Sequence, residues 1–362
     1  MELNWKLFLI SCFSVALCLV VELSAKNELQ DSSADYIYSL QKDRTKGSDY
    51  FFIIVSEASE YVAMVIGFVF YLVSRSKAGL MCIYVTFFVT WLGDVLKMAI
   101  AHPRPFWYDS RIDAIMCSKD YGSPSGHAGT VGGLIIFIYW INIQRNLIVT
   151  TSIATVSLGL LALDRNYLGL HFYFQVVLGY SIAFFTVSSV MLPRFWSFIE
   201  LASKDLKKTL IFQSTLACLL GLGVIIYFTR DPEMLGKWKD NYEDECHGKL
   251  FKEKALFSSL LESSCLMIAA GVSFGCFLNK FEVVKNWKYS GASLTVFVVG
   301  GVIEQICEKY CKALSEPASF SLFCVLRFLI GVYVTAFIPF VLSFCFNNNQ
   351  KEDSSTIPLI RL

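Results

Sequence analysis

Apolar and polar positions alternate along this chain on the scale of whole membrane spans. Runs of about 15 to 27 mostly apolar residues, each long enough or nearly so to cross a bilayer, are separated by short polar turns. They fall at roughly 51–74, 79–100, 128–142, 147–164, 172–191, 209–228, 255–278, 290–307 and 319–345. The pattern predicts an all-α fold: a polytopic membrane bundle of about nine transmembrane helices. The third run is short and gains length only by borrowing from the turn before it. Ahead of these runs lies another apolar stretch, Leu7 to Val21, flanked by Lys6 and followed by Leu23-Ser24-Ala25. Residues 1–25 therefore read as a cleavable signal peptide, with an N-terminal anchor as the alternative. Residues 26–50 form a polar luminal segment, 51–345 the membrane bundle with its motif core at 79–191, and 346–362 a polar cytosolic tail.

Charge gives the orientation. Alternate loops carry Arg75 and Lys77; Arg145; Arg194, Lys204, Lys207 and Lys208; and Lys280, Lys285 and Lys288, with few acids between them. The loop 229–254 mixes its basic residues with acids. The excess of Lys and Arg on one side predicts a luminal start to the first of the nine spans and a cytosolic C-terminus. The chain is 55% hydrophobic and 17% charged with a net charge of +1, which offers no basic surface for nucleic acid. Its 12 cysteines lie mostly within apolar runs, where they read as small core side chains. Cys117, Cys246 and Cys311 fall in loops of the luminal side, where a disulfide is available but its pairing is open.

Three short motifs sit at the luminal mouths of spans two to five. Lys97 is followed after six residues by Arg104-Pro105. Then comes Ser123-Pro124-Ser125-Gly126-His127, and then Arg165 with His171 after five further residues. Lys97, Arg104 and Arg165 suit phosphate oxygens, with Arg as a planar fork and Lys as a point charge. The Ser125–Gly126 turn at a helix start offers backbone N–H groups to an anion. His171 can attack phosphorus and His127 can protonate the leaving oxygen. Gln175, one helical turn after His171, is expected to orient its imidazole, and Asp94 to hold the Lys97 ammonium. Arg165 and His171 meet only if the chain bends between them. His102 has no motif partner. Glu57, Glu60, Glu262, Glu304 and Arg327 are charges within or beside the spans and are expected to face the bundle interior or a wet cavity. No carboxylate cluster suggests a metal, and no cofactor is expected.

These motifs resemble those of the type 2 phosphatidic acid phosphatase and vanadium haloperoxidase superfamily. The resemblance implies His171 as nucleophile, His127 as acid, and a phosphohistidine intermediate on the luminal face. Asp164 stands where a Ser normally precedes the Arg, and Gln175 stands where most members carry an Asp. His171-Phe172-Tyr173-Phe174-Gln175-Val176 is similar instead to the glucose-6-phosphatase branch. So are Asp49-Tyr50-Phe51, Arg104-Pro105-Phe106-Trp107 and Phe257-Ser258-Ser259-Leu260-Leu261. The likeness implies a phosphoric monoester hydrolase of the endoplasmic reticulum membrane. It would act on glucose 6-phosphate or a related sugar phosphate, as in gluconeogenesis, beside a sugar-phosphate transporter. A lipid-phosphate phosphatase for sphingoid-base phosphate or phosphatidate is the alternative, and a catalytically silent membrane scaffold is a third. The C-terminal Leu359-Ile360-Arg361-Leu362 lacks the Lys-Lys retrieval signal that such enzymes can carry.

Overall fold

The computed structural model describes residues 2–74, 76–230, 236–246, 255–278 and 315–338. The expected span at 290–307, Cys311, Glu304 and the tail 346–362 lie outside these residues. Among the described residues the regular structure is helical throughout. Eight helices there are long and apolar enough to cross a membrane, as expected of a multi-pass membrane protein.

The helices are α1 (Glu2–Ser24), α2 (Lys26–Gln41), α3 (Lys46–Ser74), α4 (Lys77–Ile100) and α5 (Pro105–Tyr108). Then follow α6 (Gly126–Asn142), α7 (Leu147–Tyr167), α8 (Tyr173–Val190), α9 (Pro193–Ala202) and α10 (Leu206–Thr229). Last come α11 (Gly236–Glu245), α12 (Ala255–Ser263), α13 (Leu266–Leu278) and α14 (Glu316–Val332), which runs on into a π-helical turn at Tyr333–Phe337. Their starts are chemically marked. Ser76, Ser125, Asn146 and Asp205 each accept a backbone N–H of the turn they open, at 3.2, 3.4, 3.1 and 3.0 Å. Pro105 and Pro193 occupy first-turn positions where no N–H is needed.

Helix α4 is the centre of the bundle. It packs against α3, α6, α8 and α12, and its residues from Leu80 to Phe87 are all buried. Helices α1, α7 and α10 instead expose apolar side chains such as Leu9, Ile148, Val156 and Phe228, the surface a lipid-facing helix presents. The short third span begins at Gly126, so it does take in the end of the Ser-Gly-His turn. The expected span 255–278 is broken between α12 and α13. Arg327 of α14 fills the break, donating from Nη1 to Leu261 O at 2.6 Å, Glu262 O at 3.1 Å and the Ser264 hydroxyl at 2.8 Å. A charge within a span is thus spent on carbonyls that an interrupted helix would leave unpaired.

Two regions are more ordered than the hydropathy pattern suggests. The segment 26–50, read only as polar, forms α2 and the start of α3. Gln41 of α2 donates to Asp113 O at 3.1 Å and Tyr167 O at 2.9 Å, and accepts from Asp113 N at 2.9 Å. Helix α1 packs along α8, with Ser11 Oγ 2.8 Å from Ser188 Oγ and Ser14 Oγ 3.0 Å from Ser181 Oγ.

Candidate active site

All three motifs meet at one end of the bundle, around a cavity of about 220 Å³. Lys97 is delivered by the last turn of α4, and Ala101 in the left-handed region (φ 51°) ends that helix and turns the chain toward Arg104. Ser125, Gly126 and His127 come from the N-terminus of α6. Arg165 lies in the last turn of α7, and His171 in the turn before α8. The required bend between these two is present. Gly169 takes φ 72°, a conformation costly for residues with a side chain. Leu170 N and His171 N fold back to Arg165 O at 3.2 and 3.3 Å, and Asn166 Nδ2 donates to His171 O at 2.8 Å. Lys97, Arg104, Ser125, Gly126, His127, Arg165 and His171 all line the cavity, together with Asp94.

His171 is buried and fixed at both ring nitrogens. Nδ1 donates to Gly122 O at 2.7 Å, which leaves Nε2 as the unprotonated nitrogen, 3.3 Å from Arg104 Nη1. Burial, then the cations Arg104, Arg165 and Lys97, hold the imidazole well below its usual range, so it stays neutral with a lone pair on Nε2. The partner expected for one of its ring nitrogens is Gln175, and the structure corrects this. Gln175 Oε1 accepts from Phe172 N at 3.1 Å and its Nε2 donates to Pro103 O at 3.0 Å. A residue four positions on shares a helix face only once the helix has begun, and His171 precedes the first turn of α8. Gln175 therefore acts at one remove. It holds Pro103 against Gly122, whose missing Cβ would stand 2.7 Å from both the Gln175 Oε1 and Pro103 O. The carbonyl of that same Gly122 holds His171.

His127 faces Glu60 of α3, whose Oε2 lies 3.2 Å from Nε2. Glu60 lines the cavity, whereas Glu57 is exposed and outside it. Asp49, in the Asp-aromatic-Phe run, accepts from Tyr167 Oη at 2.7 Å and ties the start of α3 to the end of α7. His102, which lacked a partner in the sequence, pairs through Nδ1 with buried Glu22 of α1 at 2.8 Å, and its carbonyl accepts Gly122 N at 2.8 Å.

Each cation meets a carboxylate. Arg165 donates from Nε to Asp164 Oδ2 at 2.7 Å, and also through Nη2. Lys97 Nζ is 3.8 Å from Asp94 Oδ1, the partner expected for it, but only 2.5 Å from Asp120 Oδ2. Arg104 donates from Nη2 to Asp120 Oδ1 at 2.6 Å and from Nε to Asp120 O at 2.7 Å. Asp120 also accepts the Ser118 hydroxyl. Burial pushes this carboxyl upward, but Arg104 and Lys97 outweigh it and hold the group well below the ordinary carboxylate range. Sequence reasoning did not single out Asp120, because no spacing marks a lone acid in a loop.

The loop that carries Asp120 is anchored by a disulfide between Cys117 and Cys246, at the end of α11. Disulfides persist in oxidising compartments.

Neither the curated proteins nor the solved structures gave a match. Residues 78–199, from α4 into α9 and with every motif residue among them, match the family model described as the PAP2 superfamily, which supports a phosphatase of phosphoesters.

Proposed function

We propose that this chain hydrolyses a phosphate monoester through a phosphohistidine on His171. The observation that carries this reading is the state of His171: Nδ1 committed to Gly122 O, Nε2 free of a proton, and Arg104 beside it. Nε2 attacks phosphorus as the bond to the leaving oxygen breaks, and His127 delivers its proton to that oxygen. Glu60 Oε2 lies 3.2 Å from His127 Nε2, where it can accept that ring's N–H. His127 then takes a proton from water, which attacks phosphorus and frees the histidine. Lys97, Arg104, Arg165 and the Ser125–Gly126 turn stabilise the charge on the phosphoryl oxygens.

A sugar phosphate is the substrate class we favour, with glucose 6-phosphate or a related hexose phosphate first. Beside the cations the cavity wall is mixed, with Ser56, Glu60, Thr90, Asp94, Thr130 and Glu262 among apolar side chains such as Met64, Val89, Val131 and Ile182. Its polar groups suit a leaving group with many hydroxyls, and Asp94 has one buried oxygen without a partner. The His171-to-Val176 run supports the same class through its likeness to the glucose-6-phosphatase branch. We place the enzyme in the endoplasmic reticulum membrane with its site luminal, consistent with the disulfide. The test is phosphate release by purified protein from glucose 6-phosphate, other hexose phosphates, phosphatidate and sphingosine phosphate. Hexose phosphates should be turned over fastest. A clear preference for the lipids would move the substrate to the bilayer and leave the two-histidine chemistry intact.

A further inference from the structure

Asp120 pairs with two of the cations in the proposed phosphoryl site. Its two carboxylate oxygens take the N–H groups of Lys97 at 2.5 Å and Arg104 at 2.6 Å, and the same Arg104 reaches His171 Nε2 with its other terminal nitrogen at 3.3 Å. A phosphoryl oxygen next to His171 needs those same donors. Lys97 has three N–H donors and Arg104 five, so the carboxylate takes only part of the donor set, but it holds one donor of each cation and brings a negative charge against an incoming phosphate.

The other acids of the site differ in this respect. Asp164 pairs with Arg165 but is wholly buried on α7 and does not line the cavity. Asp94 stands 3.8 Å from Lys97, too far to take its donors. Asp120 lines the cavity and sits in the loop between α5 and α6. The backbone of that loop is held by Arg104 Nε on the Asp120 carbonyl, by Gly122 N on the His102 carbonyl, and by the disulfide at Cys117 three residues before Asp120. Rotation of the Asp120 side chain is the smallest movement that would free both cations.

We propose that Asp120 is a resident anion that competes with the substrate's phosphoryl group for Lys97 and Arg104, and so sets the affinity of the site for phosphate. The proposal rests on the reading of Lys97 and Arg104 as phosphoryl ligands. The apparent affinity of a site open only a fraction of the time is reduced by that fraction. A carboxylate held by two charge-assisted bonds keeps the site closed most of the time, and its loss should tighten phosphate binding by about tenfold, which is about 1.4 kcal/mol. The resident carboxylate also keeps two buried cations from standing unpaired between turnovers.

The test is binding, not turnover. Inorganic phosphate is titrated by calorimetry into purified full-length protein in detergent, as wild type, Asp120→Asn and Ser118→Ala. Asp120→Asn should bind phosphate about tenfold more tightly. Ser118→Ala, which removes a hydroxyl that holds the carboxylate in place, should shift the constant the same way by about threefold, and it serves alone if the first variant does not fold. Equal or weaker binding in the variants would overturn the proposal and make Asp120 a residue that positions the two cations. Absence of phosphate binding in all three proteins would remove the phosphoryl-site reading and the proposal with it. Tighter binding in Asp120→Asn, alongside failure of every sugar phosphate in the turnover panel, would support the resident anion and displace only the substrate class.

Discussion

Single side chains decide whether this site can do chemistry. His171→Ala should abolish turnover and any acid-labile phosphoenzyme. His127→Ala should slow turnover by about 10² or more, the usual loss when a general acid is removed. Phosphoenzyme trapping and steady-state rates check both, and full turnover by the His171 variant would end the mechanism. Gln175 is a sharper case. Had it bonded His171 directly, Asp in its place would keep appreciable activity and Leu would not. Here it bridges Phe172 N and Pro103 O, and a shorter carboxylate supplies no donor for Pro103. Both Gln175→Asp and Gln175→Leu are therefore expected to lose about tenfold or more in kcat, with the smaller effect from Gln175→Glu, which keeps the reach of the acceptor. His171 also makes stability depend on pH. Its folded pKa lies well below the ordinary 6.5, so below pH 6.5 the unfolded chain takes up a proton that the folded one refuses. Stability should thus fall as pH drops below 6.5, by at most about 1.4 kcal/mol per pH unit from this group. Melting temperatures of wild type and His171→Asn between pH 7 and 5.5 should diverge, with the wild type losing more.

Among the elements, α1 changes most in meaning once its contacts are seen. By composition it is a hydrophobic leader that a peptidase could remove. In the fold it runs along α8, and its buried Glu22 pairs with His102, one residue before the Pro103 that Gln175 holds. Cleavage after Ala25 would leave the His102 side chain without its carboxylate partner and uncover α8. Residues 1–25 should accordingly be retained, and intact-mass measurement of the purified protein checks this. Glu22→Ala should lower the melting temperature and reduce activity several-fold through His102 and the Gly122 N–H that its carbonyl accepts. If the purified protein begins at Lys26 and is fully active, α1 has no part in the site. The interruption between α12 and α13 has a parallel logic. Arg327 supplies the donors that an unbroken helix would have found in its own backbone, so a residue that hydropathy counts against a span is what allows the span to bend.

For the molecule as a whole, a retained α1 adds one crossing ahead of the nine expected from hydropathy. Residue 1 would then be cytosolic, and α2, the Asp120 loop and α11 would share the luminal side. A glycosylation reporter placed between 236 and 246 should be modified, and one at residue 1 or after Asn347 should not be. Modification at residue 1 together with the loop would show that α1 does not span. The disulfide from Cys117 to Cys246 requires its two loops to lie on one side, and it agrees with this arrangement.

The linear pattern was sufficient for the large features, and the reason is physical. A bilayer demands long apolar helices, so span positions from α3 to α10 follow from hydropathy to within a few residues, and Lys and Arg in the loops supply an orientation. The candidate phosphate ligands and both histidines were legible too, because Lys97, Arg104, Ser125, Gly126, His127, Arg165 and His171 fall in short motifs of fixed order at neighbouring span ends. What tertiary structure alone decided are partnerships between residues far apart in the chain. Gly122, not Gln175, holds His171; Glu60 of α3 reaches His127; Glu22 of α1 reaches His102; and the carboxylate of Asp120, an acid in no motif, stands on Lys97 and Arg104. None of these has a spacing rule, since each depends on how separate helices pack against α4 and α8, and packing is a property of shapes that meet in space.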